Sequence, residues 1–311
     1  MKQITNTILM IRPVAFRMNE QTAVDNYYQS APNLSASEVQ IKSLEEFNGL
    51  VESLRNIGVN IIVVEDTEEP NTPDSIFPNN WVSFHENGAV VTYPMFAENR
   101  RLERREDIFE IVKKEGFDIN KIVDYSDYEN EEIFLEGTGS MVLDRENKKA
   151  YCSLSERSNE GLFLKFCSDF NYLPIVFKSY QSVGNEKKLI YHTNVMMSIA
   201  ETFAVVFLEG IYDEKERENL INNLNESGKE IISITENQVN NFAGNMLQVI
   251  GANDKRYLIM SKSAYKILTE EQIIKLKSHC DIIYNDVGTI EDCGGGSVRC
   301  TMAEVFLKKI K

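Results

Sequence analysis

With 311 residues, 42% of them hydrophobic and 26% charged, the chain can bury a large core and reads as a folded globular protein. Its net charge of −15 excludes a binder of the nucleic-acid backbone, which needs a basic surface, and no apolar run approaches the ~20 residues of a membrane span. Five scattered cysteines without a CxxC pair, and three histidines without zinc-type spacing, point to free thiols in a reducing cytoplasm and call for no metal or cofactor.

Thr7 to Ile11 is predicted as a first strand, because Arg12 and Pro13 cut its apolar stretch too short for a signal peptide. Ser35 to Ile57 carries Val39, Ile41, Leu44, Phe47, Leu50, Val51 and Leu54 near a 3.6-residue period, which predicts a helix with Ser37 as its N-cap. Gly58 ends that helix, and the β-branched run Val59 to Val64 reads as a buried strand. Beyond an acidic, proline-punctuated loop, the stretch Asp74 to Trp81 gathers an acid, two asparagines and the only tryptophan. Val82 to Phe84 and Ala89 to Thr92 form a hairpin about Asn87-Gly88. A helix is expected from Arg100 to about Glu115, then a short strand, Val123 to Tyr125. Ser140 to Asp144 and Lys149 to Ser153 make a second hairpin, followed by a helix (Leu162 to Phe170) and a strand (Leu173 to Phe177). Val195 to Ile199 lies beside Phe203 to Leu208, with a helix from Glu214 to Ser227 and a strand from Glu230 to Ile234. A third hairpin pairs Asn241 to Ala252 with Arg256 to Ser261. Glu270 to Ser278 is helical and Asp281 to Tyr284 a strand, before the loop Gly294-Gly295-Gly296 and a last apolar strand.

One unit recurs, a hairpin followed by a helix and a short strand, at a spacing of roughly 55–65 residues, which suggests similar units stacked in a circle. No linker rich in proline, glycine or serine interrupts it, so residues 1–311 are predicted to form a single α/β domain. Four polar clusters fall at strand ends of different units: Asp74 to Asn80, Glu136 to Gly139, His192 to Asn194, and Gly294 to Cys300. Strand ends of a ring converge on its axis, so the four are expected to build one site. A thiol, an imidazole and a carboxylate are the parts of nucleophilic acyl-type chemistry: attack, proton shuttle and orientation. Taken singly, His192 also fits a core histidine, Glu136 a turn carboxylate and Arg157 a solvated charge.

The set Phe-Leu-Glu136-Gly-Thr-Gly, Leu-Ser-Glu-Arg157-Ser-Asn, His192-Thr-Asn194 and Gly-Gly-Gly-Ser-Val-Arg-Cys300-Thr resembles the pentein, or guanidino-group-modifying, superfamily, with its motifs in the expected order. The resemblance implies a five-bladed α/β propeller of ββαβ units. It implies Cys300 as nucleophile, His192 as general acid/base and Glu136 as the carboxylate that grips substrate nitrogens. Arg157, and one of Arg100 and Arg101, are matched to arginines that bind a substrate α-carboxylate. Enzymes of that group are frequently dimers or tetramers, so a homo-oligomer is implied by resemblance alone.

Two positions depart from the arginine deiminase pattern, where the motifs matching Asn80 and Asn194 end in aspartate. A carboxylate only accepts, which suits a guanidinium made solely of donors; an amide also donates, and so complements a ureido carbonyl. Placing a cation between neutral amides forfeits two charge-assisted bonds. The pair therefore points to a small ureido substrate, citrulline above all, and the chain is similar to the citrulline hydrolase (ureidase) subgroup. Asp74 and Glu65 stand as nearby acids for a cation or an α-ammonium. The competing readings are a hydrolase deiminating arginine or methylarginine, an arginine amidinotransferase, and a binding module of pentein fold, the last of which lacks the Cys/His pair in its known example.

Overall fold

The computed structural model describes residues 2–31 and 33–310; Met1 and Lys311, the bounds of the expected domain, lie outside the described residues. The first unit joins β1 (Thr7–Arg12) through a helix, Ala36–Asn56, to β2 (Asn60–Glu65) in parallel register, Thr7 against Asn60. The cap lies two residues earlier than the sequence predicts. Ser35, not Ser37, closes a capping box: its hydroxyl accepts the Glu38 N–H at 3.3 Å and Glu38 accepts the Ser35 N–H at 2.8 Å. Such a cap contributes about 1 kcal/mol. Val39, Phe47, Leu50, Val51 and Leu54 form its buried stripe, as the periodicity predicts, whereas Ile41 is exposed.

The same plan repeats. A hairpin of β3 (Val82–Phe84) and β4 (Ala89–Thr92) is followed by helical pieces and by β5 (Lys121–Asp124), parallel to β4. Next come β6 (Met141–Asp144), β7 (Lys149–Ser153), the helix Glu160–Phe170 and β8 (Leu173–Phe177). A small extra hairpin, β9 (Tyr180–Val183) with β10 (Glu186–Leu189), stands apart from the plan. Its alternation is mostly polar, so hydrophobic patterning gave no sign of it. The fourth sheet holds β11 (Met197–Ile199), β12 (Phe203–Val206) and β13 (Glu230–Ser233), and the fifth β14 (Leu247–Ile250), β15 (Arg256–Ser261) and β16 (Asp281–Asn285). The last strand, β17 (Ala303–Glu304), pairs antiparallel with β1, Leu9 against Ala303, and so completes the first sheet from the other end of the chain. Among the described residues there are thus five three-stranded sheets of one design and a separate two-stranded one. No described helix is long and apolar enough to cross a membrane.

Three segments differ from expectation in ways that matter for the site. Val195 and Met196 belong to a helical turn, Thr193–Met196, rather than to the following strand. Residues 241–246 form a loop instead of the start of β14, because the Thr235/Gln238 capping box starts a helical turn and Phe242 takes a positive φ of 60°. Gly288–Gly294 is a helix that the sequence reading did not foresee. It docks on the first long helix, whose Glu46 carboxylate accepts the N–H groups of Thr289 and Ile290 at 2.8 and 3.0 Å. A carboxylate at a helix N-terminus satisfies orphan donors and meets the positive end of the dipole.

Candidate active site

Each of the five repeating units brings a polar side chain to the segment just ahead of its first strand. Asn80 precedes β3, Glu136 precedes β6, His192 precedes β11, Asn245 precedes β14 and Cys300 precedes β17. Side chains from the segments ahead of β3, β11 and β17 converge on a small cavity lined by Asp74, Phe77, Asn80, Arg100, Arg157, Tyr191, His192 and Cys300, together with Thr22 and Asn26. The sequence reading expected Asp74, Asn80, Arg100, Arg157, His192 and Cys300 there. Glu136 and Asn194 stand behind the lining, against His192 and Cys300 respectively. Arg101 is outside the cavity: it donates to the Met95 and Phe96 carbonyls at 3.1 and 3.3 Å, which leaves Arg100 as the arginine of that pair at the site.

Cys300 is 3% exposed, and its N–H donates to Ser297 O at 2.9 Å, closing a tight turn after the glycine loop. That loop is glycine because its neighbours press on it. A Cβ on Gly294 would lie 2.6 Å from the Phe77 ring, and one on Gly295, at φ 59°, 2.5 Å from the Asn26 amide. Burial pushes the Cys300 thiol up, while the hydrogen bonding at Ser297, the Asn245 amide, Arg299 and the Asn194 amide pull it partly back.

His192 is buried as the N-cap of its short helix, with Nε2 at 2.8 Å from Glu136 Oε2. Burial holds its pKa below the ordinary value against the opposing pull of Glu136, so the neutral imidazole dominates at neutral pH. Glu136 is wholly buried, and its Oε1 accepts the Phe96 N–H at 2.9 Å. Burial alone would raise its pKa. Arg157 at 3.5 Å, the His192 bond and Arg100 at 3.9 Å outweigh that and hold the carboxyl well below its usual range.

Both arginines at the site are already engaged. Arg100 grips Glu103 with two bonds, at 2.8 and 3.0 Å, and donates to Asn80 Oδ1 at 2.9 Å. Arg157 turns its fork on Asp25, with Nε to Oδ2 at 2.8 Å and a second bond from Nη2, and also reaches Thr22 O at 3.1 Å. Asp74 Oδ2 accepts from Asn19 at 2.8 Å and from Thr22 at 3.2 Å, while its Oδ1 has no partner. Asn19, Thr22, Asp25 and Asn26 come from the segment between β1 and the first helix, and the sequence reading missed all of them. The cue available was the polar run Asn19 to Asn26 following an apolar strand. Asn245 escapes sequence reasoning because it adjoins the apolar run Met246 to Ile250 and so reads as strand.

The Arg100 bond fixes the Asn80 amide with its oxygen outward to the guanidinium, so the NH2 group is turned the other way and has no partner. This group packs on Gly139, where a Cβ would lie 2.4 Å from Asn80 Nδ2 and 2.8 Å from the His192 ring. Gly139→Ala is therefore expected to destabilise the fold by about 1–3 kcal/mol through overpacking. Denaturant titration checks it, and a wild-type midpoint would show that the two side chains have slack.

No curated protein matches the chain in sequence. Among solved structures, ArgZ, an arginine dihydrolase from the ornithine-ammonia cycle in cyanobacteria, superposes with a TM-score of 0.73 at 16% identity, over 96% of this chain and 40% of that one. The chain thus spans well under half the length of that relative. The N-terminal domain of ArgZ with bound product gives a TM-score of 0.71 at 16% identity, over 98% of both chains. A dimethylarginine dimethylaminohydrolase variant, solved as its adduct with S-methyl-L-thiocitrulline, gives 0.61 at 16% identity over 97% of this chain and 99% of that one. These likenesses carry the fold: mixed α/β, of the pentein type. The family described as N,N dimethylarginine dimethylhydrolase, eukaryotic, matches residues 12–307, which takes in every candidate residue above. With nearly the whole length matched, the chain belongs to the family described as N,N dimethylarginine dimethylhydrolase, eukaryotic.

Proposed function

We propose that this protein hydrolyses the ureido group of citrulline, giving ornithine, CO2 and ammonia. The observation that carries the reading is the unpartnered NH2 of Asn80, a buried donor beside His192 whose orientation Arg100 sets. A buried donor without an acceptor costs about 1–3 kcal/mol. A ureido carbonyl satisfies it, whereas a guanidinium, which has only donors, leaves it orphaned. Asn194 Oδ1 is a buried acceptor without a partner, suited to a substrate N–H.

In this reading the Cys300 thiol passes its proton to His192 and the sulfur attacks the ureido carbon. His192, oriented by Glu136, returns the proton to the departing nitrogen, and ornithine leaves a thiocarbamoyl group on the sulfur. Water, deprotonated by the neutral imidazole, then releases carbamate and restores the thiol, and carbamate decays to CO2 and ammonia. Arg157 receives the substrate carboxylate in place of Asp25, and Asp74 Oδ1 accepts from the α-ammonium. Arg100 serves Asn80 and Glu103 rather than the substrate. No step calls for a metal or a cofactor.

A second reading, hydrolysis of arginine, is favoured by charge: two guanidinium groups, Arg100 and Arg157, face four carboxylates, Asp25, Asp74, Glu103 and Glu136. One assay separates the two. The purified protein is incubated with citrulline and with arginine in separate tubes, and ornithine, citrulline and ammonia are measured. Ornithine and ammonia from citrulline are expected; citrulline appearing from arginine, with citrulline itself untouched, overturns the proposal.

The architecture that goes with this function is a single domain closed as a five-bladed propeller. The five sheets of one design and the β17–β1 pairing support it. Five cysteines without a disulfide among them support a reducing, cytoplasmic location.

A further inference from the structure

Asn245 is contributed by the one repeating unit to which sequence reasoning assigned no site residue, and it is 1% exposed. Its Nδ2 has two hydrogens and two acceptors: Asn194 O at 2.9 Å and Cys300 Sγ at 3.3 Å. Its Oδ1 accepts the Arg299 N–H at 3.1 Å. Three bonds therefore set the amide's orientation, since the flipped rotamer would turn an oxygen on two acceptors and an NH2 on a donor. The loop is built for this approach. A Cβ on Gly244 would lie 2.2 Å from Val195 O, so only glycine lets the chain press against the turn after His192 and deliver the next residue to the sulfur. Asn194 Nδ2 approaches the same sulfur from its other neighbour at 3.7 Å.

We propose that Asn245 is a catalytic residue that acts on the reacting atom itself, stabilising the Cys300 thiolate as it forms through a donated N–H, with Asn194 as the weaker second donor. The inference rests on the reading of Cys300 as nucleophile. A thiol sulfur is a poor acceptor and a thiolate a strong one, so a donor fixed on the sulfur favours the ionised form. The Ser297 backbone and the charge of Arg299 also favour the anion, but none of the charged side chains near the sulfur donates a hydrogen bond to it. Arg299, next in sequence, turns its guanidinium to Met302 O at 2.8 Å and Glu304 at 2.9 Å. His192 and Arg157 are engaged by Glu136 and Asp25, Arg100 by Glu103, and Tyr191 donates its hydroxyl to Gly295 O. Asp74, across the cavity, works against the anion.

The test reads the thiol without turnover. The full chain is alkylated with iodoacetamide across a pH series, and labelling of the Cys300 peptide is followed by mass spectrometry, with Cys300→Ser as the blank. In Asn245→Ala and in the near-isosteric Asn245→Asp, which keeps the acceptor for Arg299 N–H, the labelling midpoint is expected to move up by about one pH unit or more. A midpoint equal to wild type in the folded variants overturns the proposal and leaves the nucleophile reading intact. A wild-type Cys300 that takes no label at any pH sinks both. Failure of citrulline turnover alongside a shifted midpoint refutes the substrate and spares Asn245.

Discussion

Cys300→Ala is expected to lower citrulline turnover by about four orders of magnitude or more, because removing a covalent nucleophile leaves only binding and orientation. No other thiol can substitute. Cys152, Cys167, Cys280 and Cys293 are buried and none lines the cavity. Ornithine formation measured alongside thermal unfolding decides the matter, and residual activity within tenfold of wild type in a folded variant would show that the reaction does not pass through the sulfur. The wild-type pH profile follows from the same site. Burial raises the thiol and lowers His192, so near neutrality both are uncharged and the reactive thiolate is scarce. Its share grows as pH rises toward the thiol pKa, so kcat/KM is expected to climb from neutral into alkaline solution. A profile that falls over that range contradicts the assignment.

Asn80→Asp carries the second large effect, this time on the choice of substrate. The replacement keeps an acceptor for Arg100 but exchanges the free NH2 for an oxygen, which sets acceptor against acceptor at a ureido carbonyl. Citrulline kcat/KM is expected to fall by roughly 10- to 150-fold, equivalent to about 1.5–3 kcal/mol. The arginine-to-citrulline ratio of kcat/KM is expected to rise, since a guanidinium gains a charge-assisted bond. Steady-state kinetics on both substrates check it, and an unchanged ratio would remove the amide argument. The structure also separates two residues that the sequence pairs. Asn80 lines the cavity, whereas the Asn194 amide is turned to the sulfur. In the proposed reading, charge matching at Asn80 is thus about the substrate, while at Asn194 it concerns the thiol first.

Much of the architecture is legible without coordinates because it is local. The stripe from Val39 to Leu54 and the turn at Asn87-Gly88 are written in periods of 3.6 and 2 and in a dipeptide suited to a tight turn. The run of hairpin, helix and strand recurs where the sequence reading puts it, and Cys300, His192 and Glu136 announce themselves by chemistry and motif order. Where the local signal is weak, the reading slips. The polar hairpin Tyr180–Val183 with Glu186–Leu189 has no apolar alternation to find, and the helix Gly288–Gly294 owes its start to Glu46, a residue far away in sequence.

The amino-acid sequence by itself determined the repeating unit and the family, and marked Cys300 as the candidate nucleophile, since each depends on residue types at short range. Only the tertiary structure decided which partners those residues have. Asp25 on Arg157, Arg100 on Asn80 and Asn245 on Cys300 join segments separated by 132, 20 and 55 positions. The physical reason is that a hydrogen bond acts over about 3 Å of space and is blind to distance along the chain, so a side chain's role at the site is settled by which neighbour the fold brings to it.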